Sequence, residues 1–214
     1  MDAALEARIA ALSRPFALPA GAVLFRPGEP CGGFPLLREG RVRVELLAED
    51  GHALLLYRVG PGEACALTTA CLFAGEAYSA EGRAETPLAG ALLPPAGFHA
   101  LMAESAEFRR FVLAGFGARM AALLARIEDL SFRPVDARLA RLLLGRATPL
   151  LTATQAGIAA EIGTAREVVT RRLAALARAG LVEVVARGGV RVLDAAGLRR
   201  VAEGEAGGEG GGGG

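Results

Sequence analysis

The sequence predicts an α+β chain: a strand-rich N-terminal half, then one long helix, then a small unit of helices closed by a hairpin. Three observations predict it. Short alternating segments separated by glycine and proline fill residues 21–93. Apolar residues then recur at spacings of three and four over residues 106–130. After residue 133, short helical patterns are followed by two apolar runs around a Gly-Gly pair.

Composition limits the class of protein. A length of 214 residues allows one or two domains with cores of their own. Hydrophobic residues make up 52%, but no apolar run reaches about 18 residues, so we expect no membrane span. The N-terminus lacks the basic-then-apolar form of a signal peptide, and the chain has three cysteines. We therefore expect a cytoplasmic protein without structural disulfides.

Charge is distributed unevenly along the chain. The formal net charge is only +1. Residues 133–202 contain twelve arginines and five acidic residues, a net +7, whereas residues 1–132 contain twelve arginines and fifteen acidic residues, a net −3. An excess confined to the C-terminal segment indicates a local phosphate-binding surface. The alternative is a merely solvated face.

The N-terminal half begins with a short helical pattern over residues 2–12. Residues 41–46 alternate with a period of two, residues 49–51 form a turn signal, and residues 53–59 form the next strand. Strands at this spacing predict a β-sandwich or roll.

The long helix carries one apolar stripe, and one way to bury it is to pack the helix on the strands before it. The stripe includes Phe108, Phe111, Val112, Gly115, Met120, Leu123 and Ile127. Pro134 ends the helix, and Asp136 is the expected N-cap of the next one. The predicted division is a β domain at 1–105, the helix at 106–132, a C-terminal domain at 133–202 and a disordered Gly-rich tail at 203–214.

Two helices separated by a tight turn are predicted in the C-terminal domain. Thr152 with Gln155, and Thr164 with Glu167, have the spacing of capping boxes. Gly163 is placed to end the first helix in the left-handed conformation.

The second of these helices has one apolar and one polar face. Val169, Leu173 and Leu176 recur at helical spacing and are expected to be buried. The opposite face presents Arg166, Glu167, Thr170 and Arg171. The pattern predicts a helix-turn-helix whose second helix can enter a major groove.

A hairpin wing is predicted after the second helix. Residues 181–185 and 190–193 form its strands around a basic tip at Arg187, Gly188 and Gly189. Asp194 is the expected cap of a last helix that reaches Val201.

The run from Gly163 to Arg171 resembles the recognition element of the cAMP receptor protein/FNR family of bacterial transcription regulators. The cAMP-receptor branch carries Arg-Glu, with a second Arg four residues after the Glu. Residues 25–29, 38–40 and 60–63 resemble the corner glycines of the family's cyclic-nucleotide-binding β-roll. The resemblance implies an N-terminal β-roll, a long dimerisation helix and a C-terminal winged helix-turn-helix. The stripe of the long helix would then pair with its copy, and the residues expected at this dimer interface are Phe108, Phe111, Val112, Gly115, Met120, Leu123 and Ile127.

The resemblance also implies a function: a homodimer that binds an inverted-repeat operator in double-stranded DNA, with RNA polymerase as a further partner. Arg166, Glu167 and Arg171 would touch base edges, since Arg can bind guanine in bidentate fashion and Glu can accept from cytosine. The full set of expected DNA-binding residues is Thr154, Thr164, Arg166, Glu167, Thr170, Arg171 and Arg172.

Cyclic-nucleotide sensing is not expected. Family members that bind cAMP hold its phosphate with a Gly-Glu pair and a later Arg-Ser or Arg-Thr pair. Gly62-Glu63 fits the first pair, but Tyr78-Ser79 stands where the second is expected. A buried phosphate without a cation costs several kcal/mol.

The cysteines suggest a different stimulus that the protein could sense. With Thr68 or Thr69 as a helix N-cap, Cys71 would lie in the first turn, where the helix dipole lowers a thiol pKa. Together with Cys65 it could form a redox or reactive-sulfur switch; alternatively, the two cysteines pack as small hydrophobes. Three cysteines are one too few for a four-thiolate cluster, and haem ligation through Cys65, Cys71, His52 or His99 is not favoured by the spacing. No cofactor is expected.

An enzyme is not expected, because the chain has no HExxH motif, phosphate-binding loop or Ser-His-Asp context. The rival hypothesis is a thiol enzyme that turns over peroxide or persulfide at Cys71. Another is a sequence-independent architectural DNA-binding protein, which the Arg-Glu-x3-Arg face disfavours.

Overall fold

Eight helices and three antiparallel sheets make up the part of the chain described by the computed structural model, which comprises residues 2–48, 52–145, 150–185 and 189–204. The chain forms two compact units. The first contains Met1–Leu47 and Leu55–Arg126, and the second contains Ala48–Leu54 and Ile127–Gly214.

Two sheets form the β-roll of the first unit. In chain order the elements are α1 (Ala3–Leu12), β1 (Arg14–Leu18), β2 (Val23–Phe25), β3 (Phe34–Glu39), β4 (Val42–Leu47), β5 (Ala53–Val59), α2 (Ala66–Ala74), β6 (Glu81–Ala84), β7 (Leu88–Leu93), α3 (Pro95–Glu104) and α4 (Ala106–Phe132). The strand orders are β1-β7-β3 and β2-β6-β4-β5. The predicted helix at 2–12 and the predicted strands at 41–46 and 53–59 are confirmed, to within one or two residues.

Alternation along the strands decides which side chains enter the roll. On β5, Leu55, Tyr57 and Val59 are buried, while the residues between them are partly exposed. Gly82 of β6 leaves room for Phe25 of β2, because a Cβ at Gly82 would lie 2.3 Å from the ring. Gly40, at φ +83°, turns the chain between β3 and β4 where a Cβ would meet the Pro87 carbonyl oxygen.

An aromatic cluster joins α3 and α4 to the roll. Phe34, Phe98 and Phe108 are fully buried, with ring centroids 5.2–6.1 Å apart. Val112 is also fully buried in this cluster, and Phe111 packs against it. The first half of α4 is thereby fixed to its own unit.

This packing corrects the predicted dimer interface. Phe108 and Val112 are 0% exposed within the chain, so they cannot contact a second copy. Phe111 packs on the same core, and Gly115 faces the roll, since a Cβ there would lie 2.6 Å from the Ala64 Cβ. Leu123 is half-buried against a second roll cluster that contains Cys65 and Cys71.

A second apolar stripe of α4 remains exposed. Its members are Leu113, Met120, Leu124 and Ile127, with 56%, 43%, 61% and 59% of the residue accessible. Leu113, Met120 and Ile127 are spaced by seven residues, as in a two-helix seam. Of the interface residues expected from the sequence, Met120 and Ile127 lie on this stripe.

The second unit has its own core. After α4, its elements are α5 (Val135–Leu144), β8 (Leu150–Leu151), α6 (Gln155–Ile162), α7 (Arg166–Arg178), β9 (Val182–Val184), β10 (Val190–Val192) and α8 (Ala195–Glu203), with the strands in the order β8-β10-β9. Leu139, Ile158, Val169 and Leu198 are fully buried in it. Arg138 is 8% exposed, and its Nη1 donates to the Leu130 carbonyl 2.9 Å away, so this buried guanidinium ties α5 to the end of α4.

In the second unit, three predicted caps are wrong and one is confirmed. Pro134 precedes α5 as its N-cap, and Asp136 lies in the first turn. Thr154 caps α6 in place of Thr152. Thr164 does not cap α7, because Ala165 occupies the N-cap position without a side-chain bond. Asp194 caps α8, its Oδ1 accepting from the Gly197 N–H at 2.9 Å.

Several predictions fall on residues outside the described ranges: the turn at 49–51, the wing-tip residues Arg187 and Gly188, and the tail from residue 205 onwards. Glu203, assigned to the tail, is the last residue of α8. None of the helices in the described ranges is long and apolar enough to cross a membrane.

Candidate DNA-binding surface and sensor pocket

The turn between α6 and α7 contains the predicted left-handed Gly163, whereas its capping residues differ from the predicted ones. The Thr154 Oγ1 accepts from the Gly157 N–H at 3.0 Å and starts α6. Gly163 ends it at φ +63°, and its N–H returns to the Ala159 carbonyl. The Thr164 N–H also donates to the Ala159 oxygen, at 3.1 Å. These bonds fix the geometry between the two helices.

Helix α7 buries one face and exposes the other. Val169 and Leu173 are almost completely buried in the core of the second unit, and Leu176 is 7% exposed. Arg166, Glu167 and Arg171 are exposed. Within the described residues, none of these three side chains makes a hydrogen bond or an ion pair. Two guanidinium groups and a carboxylate are therefore available to an external partner.

The other predicted DNA-binding residues are already engaged within the unit. The Thr170 Oγ1 lies 2.6 Å from the Gln155 Oε1 and 3.0 Å from the Arg166 carbonyl oxygen, so it links α7 to α6. The Arg172 Nε lies 3.3 Å from the Asp136 Oδ1 of α5. Thr154 is occupied as a cap, and Thr164 is half-buried in the turn. These four residues position the motif.

A two-stranded wing follows α7. β9 and β10 are antiparallel, with Val182 opposite Val192 and Val184 opposite Val190. The Arg191 Nη1 pairs with the Glu183 Oε2 across the strands at 2.6 Å. β8 adds a third strand beside β10.

In the first unit, the Gly-Glu pair forms a turn before α2. Gly62 has φ +74°, and the Glu63 Oε2 accepts from the Gly60 N–H at 2.7 Å. The same carboxylate pairs with Arg119 of α4. Glu63 is therefore committed to the turn and to the long helix.

Tyr78 and Ser79, at the second position expected to hold a cyclic phosphate, offer no cation to it. Tyr78 is 6% exposed, and its ring stacks on Phe25 with centroids 4.1 Å apart and planes 12° apart. Burial raises the pKa of its hydroxyl, which stays neutral. Ser79 is exposed, and the nearby Arg83 is held by Glu81 and the Gly21 carbonyl.

The predicted position of Cys71 is wrong. α2 begins at Ala66 with Cys65 as its N-cap, so Cys71 lies in the C-terminal half, where its carbonyl accepts the capping N–H of Gly75. Thr68 and Thr69 are buried inside the helix. Burial raises the pKa of the Cys71 thiol to about 11, and the nearby Cys31 and Cys65 raise it further. The pKa of the Cys71 thiol is therefore raised by burial and not lowered by the helix dipole.

The fold places Cys31, which the sequence does not single out, on the same cavity as Cys71. The Cys31 Sγ lies 3.2 Å from the Tyr78 Oη, and the Cys71 Sγ lies 3.7 Å from the Ala77 carbonyl oxygen. Both cysteines line a cavity of about 470 Å³. No local pattern could reveal this, because the two cysteines are forty positions apart in the chain.

Cys65 belongs to a different group of side chains. Its Sγ lies 3.8 Å from the Tyr57 Oη, which accepts the Leu67 N–H at 2.9 Å. The Arg119 guanidinium carbon lies 5.7 Å from the centre of the Tyr57 ring. The N-terminus of α2 is thus connected to α4 by Tyr57 and Arg119.

A separate, mainly apolar pocket of about 450 Å³ is lined in part by Tyr78. Its lining includes Phe16, Leu18, Phe25, Pro35 and Leu92. Among the described residues, no three or more His, Cys, Asp or Glu side chains are grouped so as to hold a metal ion.

Comparisons with known proteins agree with this architecture. Residues 15–105 match the cyclic nucleotide-binding domain, and residues 137–201 match the Crp-like helix-turn-helix domain. The chain is 32% identical over 197 residues to the transcriptional regulator SdrP of Thermus thermophilus, covering 86% of this chain and 92% of SdrP.

Solved structures show the same fold. A protein from Eubacterium rectale, described as a transcriptional regulator of the Crp/Fnr family, has a TM-score of 0.83 at 24% identity, with 95% of each chain covered. A CRP/FNR-family regulator from Thermus thermophilus has a TM-score of 0.73 at 29% identity, covering 89% of this chain and 98% of its own. The chain therefore belongs to the CRP/FNR family of transcriptional regulators and carries its DNA-binding helix-turn-helix.

Proposed function

We propose that the protein is a homodimer that reads an inverted-repeat operator through α7. The observation that carries this proposal is the exposed face of α7, where Arg166, Glu167 and Arg171 have no partner within the described residues. Arg can be bidentate to guanine O6 and N7, and Glu can accept from cytosine N4. By the family resemblance, the half-site is similar to TGTGA.

Contacts to bases give specificity only if the helix is held at a fixed angle. The Thr170–Gln155 bond and the Arg172–Asp136 pair support this, because they tie α7 to the helices behind it. A net +7 over residues 133–202 supplies attraction to phosphates.

Dimerisation is proposed through the exposed stripe of α4. Leu113, Met120, Leu124 and Ile127 are apolar and more than 40% exposed in the single chain. Burying such a stripe against its own copy removes apolar surface from water. Two α7 helices in one dimer would then reach half-sites about 34 Å apart.

Selection of bound sites from random duplex DNA tests this function. The expected result is an inverted repeat with a guanine-containing half-site, bound by a species of twice the chain mass. Equal affinity for every duplex would instead favour an architectural DNA-binding protein.

We infer that the signal is not a cyclic nucleotide. The inference is supported by Tyr78, which is buried, neutral and stacked on Phe25 at the position where the resemblance expects a cation. Titration with cAMP and cGMP, followed by thermal melting, is expected to leave the midpoint unchanged. A concentration-dependent rise in the midpoint would show binding and overturn the inference.

A further inference from the structure

We propose that Cys31 and Cys71 form a modification site at which a hydroperoxide produces an intramolecular disulfide. This pair differs from Cys65 and Cys71, the pair for which the sequence left a redox switch and simple hydrophobic packing as alternatives. The effect on DNA rests on the proposed operator binding, whereas the disulfide itself does not.

The geometry of the pocket carries the proposal. Both cysteines line the same cavity of about 470 Å³. The Cys31 Sγ is 3.2 Å from the Tyr78 hydroxyl and 3.7 Å from the Gly33 carbonyl oxygen, and the Cys71 Sγ is 3.7 Å from the Ala77 carbonyl oxygen. The two thiols are free.

The difference in exposure between Cys31 and Cys71 indicates which thiol is oxidised first and which one then forms the disulfide. Cys31 is half-buried, so solvent and a small oxidant reach it, whereas Cys71 is 5% exposed. Burial holds the pKa of Cys71 at about 11, which keeps it protonated near neutral pH. Because the oxidant reaches Cys31 more readily, Cys31 is the thiol that is oxidised first, and Cys71 then resolves the product.

The reaction balances with hydrogen peroxide as oxidant. The Cys31 thiolate attacks one peroxide oxygen, the O–O bond breaks, and Cys31 becomes a sulfenic acid while hydroxide leaves and takes up a proton to become water. The Cys71 sulfur then attacks the Cys31 sulfur. The sulfenic hydroxyl leaves with the Cys71 proton as a second water. Two thiols and one peroxide thus give one disulfide and two waters.

The loop that carries Cys31 is anchored beside the pocket, because the Gly28 N–H donates to the Tyr78 carbonyl at 2.8 Å and the Tyr78 N–H to the Glu29 carbonyl at 3.0 Å. Its glycines Gly28, at φ +83°, and Gly32 are exposed, and no atom lies within 4 Å of where a Cβ would stand at either. The disulfide requires the two sulfurs to meet within this pocket at about 2.05 Å.

Cys65 is not part of this site. It is 2% exposed, and its sulfur lies beside the Tyr57 hydroxyl at the opposite end of α2. α2 therefore connects two places: Cys71 near its C-terminal end faces the thiol pocket, and its N-terminal end is attached through Tyr57 to Arg119 of α4. A disulfide at Cys71 that shifts α2 would reach the helix proposed to carry the dimer interface.

The test is a thiol map of the full chain after treatment with hydrogen peroxide, alkylation of remaining thiols and digestion at arginine. Residues 66–70 are Ala-Leu-Thr-Thr-Ala, so no arginine or acidic residue separates Cys65 from Cys71. Variants must therefore assign the bond: Cys65→Ser, Cys31→Ser, and both Cys71→Ser and Cys71→Ala in case the serine disturbs folding.

We expect a disulfide within one chain in the wild type and in Cys65→Ser, and none in Cys31→Ser. The Cys71 variants should retain a sulfenic acid at Cys31, trapped by dimedone. A cross-link that persists in Cys71→Ala, a link between two chains, or no oxidation of Cys31 would overturn the proposal. None of these readouts requires DNA, so failure to find an operator would count against the proposed function alone.

The proposed effect of the disulfide on DNA binding is measured separately, as a change in the operator Kd. Oxidation should change the operator Kd of the wild type and of Cys65→Ser by about tenfold, equivalent to about 1.4 kcal/mol of coupling. Cys31→Ser should show no change. An intramolecular disulfide that leaves the Kd of the wild type unaltered would overturn the link to DNA binding.

Discussion

The guanidinium of Arg119 lies over the ring of Tyr57, with its carbon 5.7 Å from the ring centre. Arg119 is on α4 and Tyr57 is on β5, so this contact joins the long helix to the roll. Arg119 also pairs with Glu63, and its side chain is 18% exposed, against 46% for Glu63. The cation is held by the aromatic face and the carboxylate together.

Arg119→Ala is expected to destabilise the protein by about 1–2 kcal/mol, because a largely desolvated cation–π contact is lost with the ion pair. Glu63→Gln should cost less than about 1 kcal/mol, since its carboxylate is half-exposed and screened by water. Urea unfolding measures both. A larger loss for Glu63→Gln than for Arg119→Ala would show that the ion pair, and not the ring contact, is the stronger interaction.

Arg166→Ala tests base reading by α7. The substitution should weaken binding by about 1–3 kcal/mol on the preferred operator and abolish the preference at one guanine position, because one bidentate contact disappears. Competition binding against single-base operator variants measures this.

Arg178→Ala is the matched control for Arg166→Ala. Arg178 is exposed on the last turn of the same helix, so its loss should leave the base preference intact. If Arg166→Ala weakens binding to all sequences equally, Arg166 contacts phosphate and the assignment is wrong.

Leu124→Glu and Ile127→Glu test the exposed stripe of α4. Each places a carboxylate where the proposed dimer buries apolar surface, and an unpaired buried charge costs several kcal/mol. Light scattering should show monomers, and operator affinity should fall with them.

Ala118→Glu provides the control for the α4 stripe, because Ala118 is exposed on a different face of α4. This variant should remain dimeric. Dimers of unchanged mass in both stripe variants would contradict the proposed interface. Circular dichroism on each variant separates loss of the dimer from loss of the fold.

Stability should fall as the pH rises above about 9. The Cys71 thiol ionises near pH 9 when unfolded but at about 11 in the folded chain, so the folded state binds more protons between these values. A group with a raised folded pKa stabilises below its unfolded pKa, and that stabilisation is lost as the pH rises.

The corresponding variant is Cys71→Ala. Denaturation at several pH values from 8 to about 10.5 should give a smaller fall in the free energy of unfolding than in the wild type. A fall remains, because burial also raises the pKa of Tyr57 and Tyr78. Identical slopes would mean that Cys71 does not contribute to this pH dependence.

Much of the second unit was determined by local sequence. The left-handed turn at Gly163, the buried face of Val169 and Leu173, and the cap at Asp194 were all predicted and are all present. These features depend on residues within a few positions of one another, and helical periodicity makes that visible. Capping residues were less predictable: Thr152 and Thr154 both precede α6, for example, and the backbone geometry selects Thr154.

Tertiary structure decided the rest. α4 has two apolar stripes, and only packing shows that Phe108, Val112 and Gly115 face the roll while Leu124 and Ile127 remain exposed. Periodicity gives the spacing of apolar residues but not the partner of each face.

The cysteines of the first unit show even more clearly that a local pattern does not identify spatial neighbours. Sequence proximity favoured Cys65 and Cys71, yet the two lie towards opposite ends of α2. Cys31 and Cys71 line one pocket because loop 28–33 is hydrogen-bonded to Tyr78. Neighbours along the chain were determined by the sequence itself. Neighbours across the sheet depend on strand pairing and burial over the whole unit, which no local pattern encodes.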